Sequence, residues 1–261
     1  GRGVTFGRPA NSQTNAADAK HCYTSMGKPV SIISGASRGI GREIARRLAR
    51  EGYFVVLMAR TREELEDVEV EIDLAGGKSL AAPADVSDPQ MVEEVVESVL
   101  RDFGRIDAVI CNAGIGEFQP VAALHPEAWR RMMAVNAEAS FLFARYALPH
   151  MQAQGSGHLV AICSDAARRT FADGAAYIAS KAAQDWFFQA LRREVRPFGV
   201  KVSVIFPGLT DTWFNGGTPG SPDRADDLKP SDIADAVAYI LNAPQRVVID
   251  EIVLHPARQE W

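Results

Sequence analysis

The chain has 261 residues, 47% hydrophobic and 23% charged. Those values sit at globular averages and supply a full core, which excludes wholesale disorder and collagen-like or coiled-coil structure. Asp plus Glu exceed Lys plus Arg by 33 to 28, and so mildly acidic a chain has no bulk attraction for nucleic acid or an anionic membrane.

Residues 1–27 are rich in Gly, Asn, Ala, Ser and Thr without apolar period. They read as a mobile extension outside the domain, with Met26 a candidate native start and a docking arm the alternative. From residue 28 to 261 the pattern reads as one domain. Apolar runs predict strands at 30–34, 54–58, 79–82, 106–111, 159–163, 200–206 and 247–254. Between them, helical periods fall at 40–51, 62–75, 89–103, 126–154, 175–195 and 231–241. Asp88 and Ser231 are the expected N-caps, and Pro149 is expected to break the long helix. Strands separated by single helices imply parallel pairing, and nearly continuous apolar strands fit a sheet covered on both faces. The fold class is α/β, a single doubly wound Rossmann domain of about seven parallel strands.

Cys22, Cys111 and Cys163 are too few for a disulfide framework, and no Cys or His spacing suits a metal. Cys111 and Cys163 read as small core hydrophobes rather than nucleophiles. No apolar run is long enough for a membrane span or a secretory signal, and the expected location is the cytoplasm.

After the first strand stands Ser34-Gly35-Ala36-Ser37-Arg38-Gly39-Ile40-Gly41. Glycines at 35, 39 and 41 between a strand and a helix permit a tight turn, close approach of a pyrophosphate, and close helix–strand packing. The helix N-terminus then offers free N–H groups to phosphate. A plain glycine turn is the competing reading. No acid ends the second strand, where a ribose-binding carboxylate would sit. Arg60 stands there instead, and with Arg38 it suits a 2′-phosphate, which favours NADP(H) over NAD(H). Either arginine could equally be surface charge.

Further on come Cys111-Asn112-Ala113-Gly114, then Asn136, Ser164, Tyr177, Lys181 and Pro207-Gly208-Leu209-Thr210-Asp211-Thr212. Taken singly these are ordinary core, cap and surface residues. In this order they resemble the short-chain dehydrogenase/reductase family across residues 29–261. Ser34 replaces the usual Thr of its TGxxxGxG turn, and Cys111 replaces the first Asn of its NNAG motif. The resemblance implies that Asn136, Ser164, Tyr177 and Lys181 form a catalytic tetrad. It implies that Gly35, Ser37, Arg38, Gly39, Ile40 and Gly41 cradle phosphates and adenosine ribose, and that Asp85 and Val86 flank adenine. Asn112, Ala113 and Gly114 would line the cofactor cleft, and Pro207, Gly208, Thr210 and Thr212 would border nicotinamide. Asn136 would anchor a water linked to Lys181.

Reducing a carbonyl builds charge on oxygen, so a proton donor is needed. Tyr177 is the candidate, with Lys181 one helical turn away as the cation expected to lower its pKa, and Ser164 as hydrogen-bond donor to the oxyanion. A loop at 213–222 is a candidate lid, the alternative being a surface connection. Ile115, Phe118, Phe171, Trp213 and Phe214 could wall an apolar pocket. Asp165 could meet a polar or cationic substrate group, or solvent.

The chain's end lacks the Gly-Gly-rich strand of many 3-oxoacyl-thioester reductases. It looks more like NADP-dependent members acting on small hydroxy acids, ketones or aldehydes. The thioester reading stays open, as does a non-catalytic NADP(H) sensor. The expected partners are a small carbonyl or alcohol substrate and further copies of the chain. A homotetramer or dimer would pair its long helices through Phe141, Leu142, Phe143, Trp186, Phe187 and Phe188, unless these face the chain's own core.

Overall fold

The computed structural model describes residues 27–259, so the expected extension at 1–27 and the candidate start at Met26 lie outside the described residues, apart from Gly27. Seven strands form one sheet: β1 (Val30–Ser34), β2 (Phe54–Ala59), β3 (Lys78–Pro83), β4 (Ala108–Cys111), β5 (Gly157–Ile162), β6 (Val200–Pro207) and β7 (Glu251–Leu254). Their order is β3-β2-β1-β4-β5-β6-β7, and every pairing is parallel. The order reverses between β1 and β4, which opens a crevice at their carboxyl ends.

Helices α1 (Gly39–Arg50), α2 (Arg62–Leu74) and α7 (Pro230–Leu241) cover one face. Helices α3 (Pro89–Phe103), α5 (Ala139–Gln154) and α6 (Ala175–Val195) cover the other. α4 (Pro126–Met133) leads into α5 through a wide turn at Ala134–Glu138 with π-helical hydrogen bonding. Alternate β1 residues serve the two cores, Val30 and Ile32 facing α3 and α5, and Ile33 facing α1. β1 and β4 are buried at every position, as a strand covered on both faces must be.

Four expectations about elements are corrected. The long helix does not break at Pro149, which lies inside α5. Pro149 and Arg145 are both exposed, so the carbonyl that loses its partner faces water. The discontinuity lies instead at Ala134–Glu138. α7 begins one residue early, at Pro230, because proline suits the first helical position; Lys229 is the N-cap, and its N–H donates to Asp232 at 2.8 Å. β7 is only Glu251–Leu254, and side chains take or share the carbonyls preceding it, Asp250 O also accepting from Val204 N–H at 3.0 Å. Ser203 Oγ donates to Ile249 O at 2.6 Å, and Arg192 Nη2 donates to Asp250 O at 2.8 Å. β4 starts at Ala108 rather than 106, where the Asp107 carboxylate accepts from Val30 N–H at 2.7 Å. Asp88 caps α3 as expected, accepting from Gln90 and Met91 N–H.

Of the six residues considered for helix pairing between copies, Leu142, Phe143 and Phe188 are buried in the chain's own core, while Phe141 and Trp186 are exposed. No helix among the described residues is long and apolar enough to cross a membrane.

Candidate active site

The crevice is built first by backbone. Gly35 (φ +66°) and Gly39 (φ +57°) take left-handed conformations that β-carbon-bearing residues avoid. Gly41 is required by proximity: a Cβ there would stand 2.1 Å from Gly35 O and 2.5 Å from Asn112 Nδ2. α1 therefore lies directly against the turn. Its N-cap, Arg38, makes no side-chain capping bond, and its first turn holds no acid. The free N–H groups and positive dipole end suit an anion.

Ser34 and Asn112 hold the crevice's two lips together. Ser34 Oγ donates to Ile110 O at 3.2 Å and accepts from Asn112 and Ala113 N–H at 2.9 and 3.0 Å. Asn112 Nδ2 donates back to Ser34 O and Gly35 O. A hydroxyl with one proton and two lone pairs is thereby fully used, which is what Ser34 needs to replace Thr.

Arg38 in the turn after β1 and Arg60 at the end of β2 are exposed, and neither makes a salt bridge within 4 Å among the described residues. Val86 is buried. Burial raises the Asp85 carboxyl, but hydrogen bonds from Ser87 and the positive charge of Arg60 outweigh it and hold the group below its ordinary value. Ser37, Ile40 and Ala113 are half-buried along the same opening. Two exposed guanidiniums beside an uncapped helix N-terminus fit a phosphate-bearing dinucleotide.

The structure brings the four tetrad candidates together beyond β4 and β5. Asn136 is fully buried in the π turn, where its Nδ2 donates to Ile115 O (2.8 Å) and Ser180 Oγ (2.9 Å). Its Oδ1 accepts from Ile115 N–H at 2.8 Å. The side chain thus clamps the segment after β4 to α6. Lys181, also buried, donates through Nζ to Ile162 O (3.0 Å) and Gln184 Oε1 (3.1 Å). One of its three protons remains uncommitted. A Cβ at Gly114 would stand 3.4 Å from Lys181 Nζ and 3.5 Å from Asn136 Oδ1, so both groups converge on that glycine. Burial holds Lys181 below its ordinary pKa.

Tyr177 corrects an expectation. Burial holds its phenol above the ordinary range, with hydrogen bonding to Ser164 opposing and the charges of Cys163 and Asp165 reinforcing. The expected lowering by Lys181 is not among these influences, because the ammonium is turned to Ile162 and Gln184. Burial also pushes the thiols of Cys111 to about 12 and Cys163 to about 11, so neither is a nucleophile at neutral pH.

Phe118 is the hub of the pocket wall, with ring centroids 5.4 Å from Phe171, 5.5 Å from Tyr177 and 6.4 Å from Phe214. Phe214 also lies 5.5 Å from Tyr177, and Ile115 packs on the same cluster. Trp213 is exposed and joins none of these ring contacts. The segment after β6 begins at Pro207-Gly208, where Gly208 N–H donates to Leu254 O at 2.8 Å. Thr212 faces the glycine turn, its Cγ2 3.5 Å from where a Cβ of Gly39 would be. Arg224 holds the loop in shape, donating to Thr210 O (2.6 Å) and Thr212 O (2.7 Å). Asp165 is enclosed by protein: Ser164 Oγ and Gln259 Nε2 donate to it, and His255 Nε2 lies 3.5 Å away.

Sequence reasoning missed Ser180, Gln184, Arg224 and Gln259. Ser180 and Gln184 share the α6 face of Tyr177 and Lys181, a spacing that could have found them. Arg224 and Gln259 act from distant segments and carry no local signal.

The short chain dehydrogenase family model matches residues 29–219. The glycine betaine reductase ATRR of Emericella nidulans is 34% identical over 235 residues, covering 87% of this chain but only 18% of that protein. An uncharacterized oxidoreductase of Staphylococcus aureus is 35% identical over 227 residues, covering 87% of this chain and 96% of that one. Among solved structures, an alcohol dehydrogenase from the archaeon Thermococcus sibiricus complexed with 5-hydroxy-NADP superposes with a TM-score of 0.84 at 34% identity, covering 89% of this chain and 98% of that one. A 3-ketoacyl-ACP reductase from Sinorhizobium meliloti gives 0.78 at 31% identity, covering 87% and 97%. A glycine turn against an uncapped helix, four polar side chains gathered at the facing strand ends and a family match over most of the chain lead to one conclusion: this protein belongs to the short-chain dehydrogenase family and is an oxidoreductase.

Proposed function

We propose that the chain is an NADP(H)-dependent oxidoreductase that interconverts a small ketone or aldehyde with its alcohol. The gathering of Ser164, Tyr177, Lys181 and Asn136 opposite the glycine turn carries this reading. Gly35 to Gly41 and the N-terminus of α1 would hold the pyrophosphate, and Arg38 and Arg60 the 2′-phosphate. The NADP derivative bound by the archaeal alcohol dehydrogenase supports that cofactor choice. Bound NADPH supplies the hydride.

The protein's own residues handle the proton. Tyr177 donates it to the carbonyl oxygen, and Ser164 donates a hydrogen bond to the same oxygen. A phenol kept protonated by burial is in the right state to act as an acid in reduction. Lys181 has one proton free for the nicotinamide ribose, and a cation brought near Tyr177 on cofactor binding favours the phenolate left after transfer. Asn136 holds the segment that carries Gly114. Phe118, Phe171 and Phe214 exclude water around Tyr177.

The likeness to a 3-ketoacyl-ACP reductase favours a second reading, reduction of a 3-oxoacyl thioester. Oxidation of NADPH and NADH by the purified chain, measured against aldehydes, ketones, 3-oxo acids and 3-oxoacyl thioesters, tests both. NADPH-selective turnover of small carbonyls is expected. Preference for thioesters would move the chain to the second reading, and NADPH binding without any turnover would mark a sensor.

A further inference from the structure

Ser164 has a single hydroxyl proton, and a role in stabilising an oxyanion needs that proton on the substrate oxygen. A carboxylate stands ready to take it. Ser164 Oγ donates to Asp165 Oδ1 at 3.3 Å while accepting from Ala166 N–H at 3.2 Å. At 3.3 Å this bond is a long one, and since a hydroxyl–carboxylate bond strengthens as it shortens, an Asp165 free to swing closer would hold the proton more tightly.

Asp165 is restrained through its other oxygen. Gln259 Nε2 donates to Oδ2 at 2.7 Å, much shorter than the 3.3 Å on the serine side. Gln259 is itself anchored, because its Oε1 accepts from Leu209 N–H at 3.0 Å. It also presses on the turn after β6, with Oε1 only 2.2 Å from where a Cβ of Gly208 would be. Pro256 O accepts from Gln259 N–H at 2.9 Å, which fixes the backbone behind it. Both carboxylate oxygens are thus occupied by protein, and Asp165 is not an open receptor for a substrate cation.

We propose that Gln259 is a positioning residue: by holding the far oxygen of Asp165 it keeps the bond from Ser164 to that carboxylate long, at 3.3 Å, so that the substrate oxygen can take over the Ser164 proton. This rests on the reading of Ser164 given above. Gln259 is assigned no contact with the reacting atoms; its effect on Ser164 passes through Asp165, and its bond to Leu209 N–H is the separate contact that the test must set aside.

The test is a double-mutant cycle on the full chain, reading kcat and KM for the best carbonyl of the panel at saturating NADPH. Gln259→Leu removes both side-chain bonds of Gln259. Gln259→Glu keeps an acceptor for Leu209 N–H and replaces the donation to Asp165 by repulsion between two carboxylates, which frees Asp165 to turn toward Ser164. Each is expected to lower kcat about tenfold, with KM and the Kd for NADPH within about twofold of wild type. In the Asp165→Ala background the same two substitutions are expected to change kcat by less than about twofold, because the competing carboxylate is gone. Loss of kcat in Gln259→Leu but not in Gln259→Glu would overturn the proposal in favour of a mere fastening of the Leu209 turn. An undiminished defect in the Asp165→Ala background would overturn it too. Turnover by wild type with no response to either Gln259 variant defeats this proposal alone, whereas no carbonyl turnover by wild type defeats the functional reading beneath it.

Discussion

At the scale of residues, the proposed chemistry turns on a phenol nearly sealed from water. Burial disfavours the phenolate of Tyr177, and Ser164 is the one neighbour whose hydrogen bond favours it. Tyr177→Phe removes only the hydroxyl and keeps the ring contacts with Phe118 and Phe214. Turnover is expected to fall by roughly 10²–10⁴-fold while NADPH binding, followed by its fluorescence, is retained. Near-normal turnover in that variant would remove Tyr177 as the acid. Arg60 supplies a separate prediction. A charge-assisted bond to a 2′-phosphate contributes about 1.5–3 kcal/mol, so Arg60→Ala should raise the KM for NADPH roughly 10–100-fold and leave that for NADH nearly unchanged. Equal changes for both cofactors would refute the assignment.

At the scale of elements, the site depends on how closely α1 approaches β1 and β4. Gly41→Ala would drive a methyl into Gly35 O and the Asn112 amide. Destabilisation of about 1–3 kcal/mol by chemical denaturation is expected, together with weaker cofactor binding. Most elements were legible because each advertises its own pattern: buried β1 and β4 as short, mainly apolar runs, α3 by Asp88-Pro89, and α1 by apolar residues at helical spacing. The strand-boundary errors share a physical source, side chains bonding to backbone groups at the strand ends, whereas the helix errors come from prolines tolerated at Pro149 and Pro230. Ser203 and Arg192 shorten β7, and Asp107 shortens β4. The same holds in the site. The tetrad, the glycine turn and Asp165 could be named from sequence order. The direction in which Lys181 points could not, because Gln184 and the Ile162 carbonyl decide it. The π turn at Ala134–Glu138 was equally hidden: nothing in Ala-Val-Asn-Ala-Glu announces a wide turn, and Asn136's three bonds to Ile115 and Ser180 hold it there.

At the scale of the whole molecule, distant segments meet over one end of the sheet. Arg258 donates to Asp223 O at 2.8 Å and lies 3.2 Å from Asp226, two positions on the loop after β6. Its neighbour Gln259 reaches Asp165 beyond β5. Phe141 and Trp186 stay exposed on α5 and α6, with Phe141 stacked edge-on to Phe187 at 6.2 Å. If these helices pair between copies, as the sequence leads us to expect, Trp186→Glu should shift the chain to a smaller species by sedimentation. An unchanged mass would place any interface elsewhere.

The sheet's two rims are unequal. Every group assigned to cofactor or proton transfer leaves a strand at its carboxyl end, beyond β1, β2, β3, β4, β5 or β6, or on the helices that follow. At the opposite rim the chain turns from helix to strand six times, five of them through a glycine at positive φ: Gly52, Gly76, Gly104, Gly155 and Gly199. A β-carbon at Gly52, Gly76 or Gly104 would meet open space. Those three turns close helices and hold no chemistry, so with the glycines kept for their positive φ they are the ports at which an added peptide can be inserted without touching catalysis.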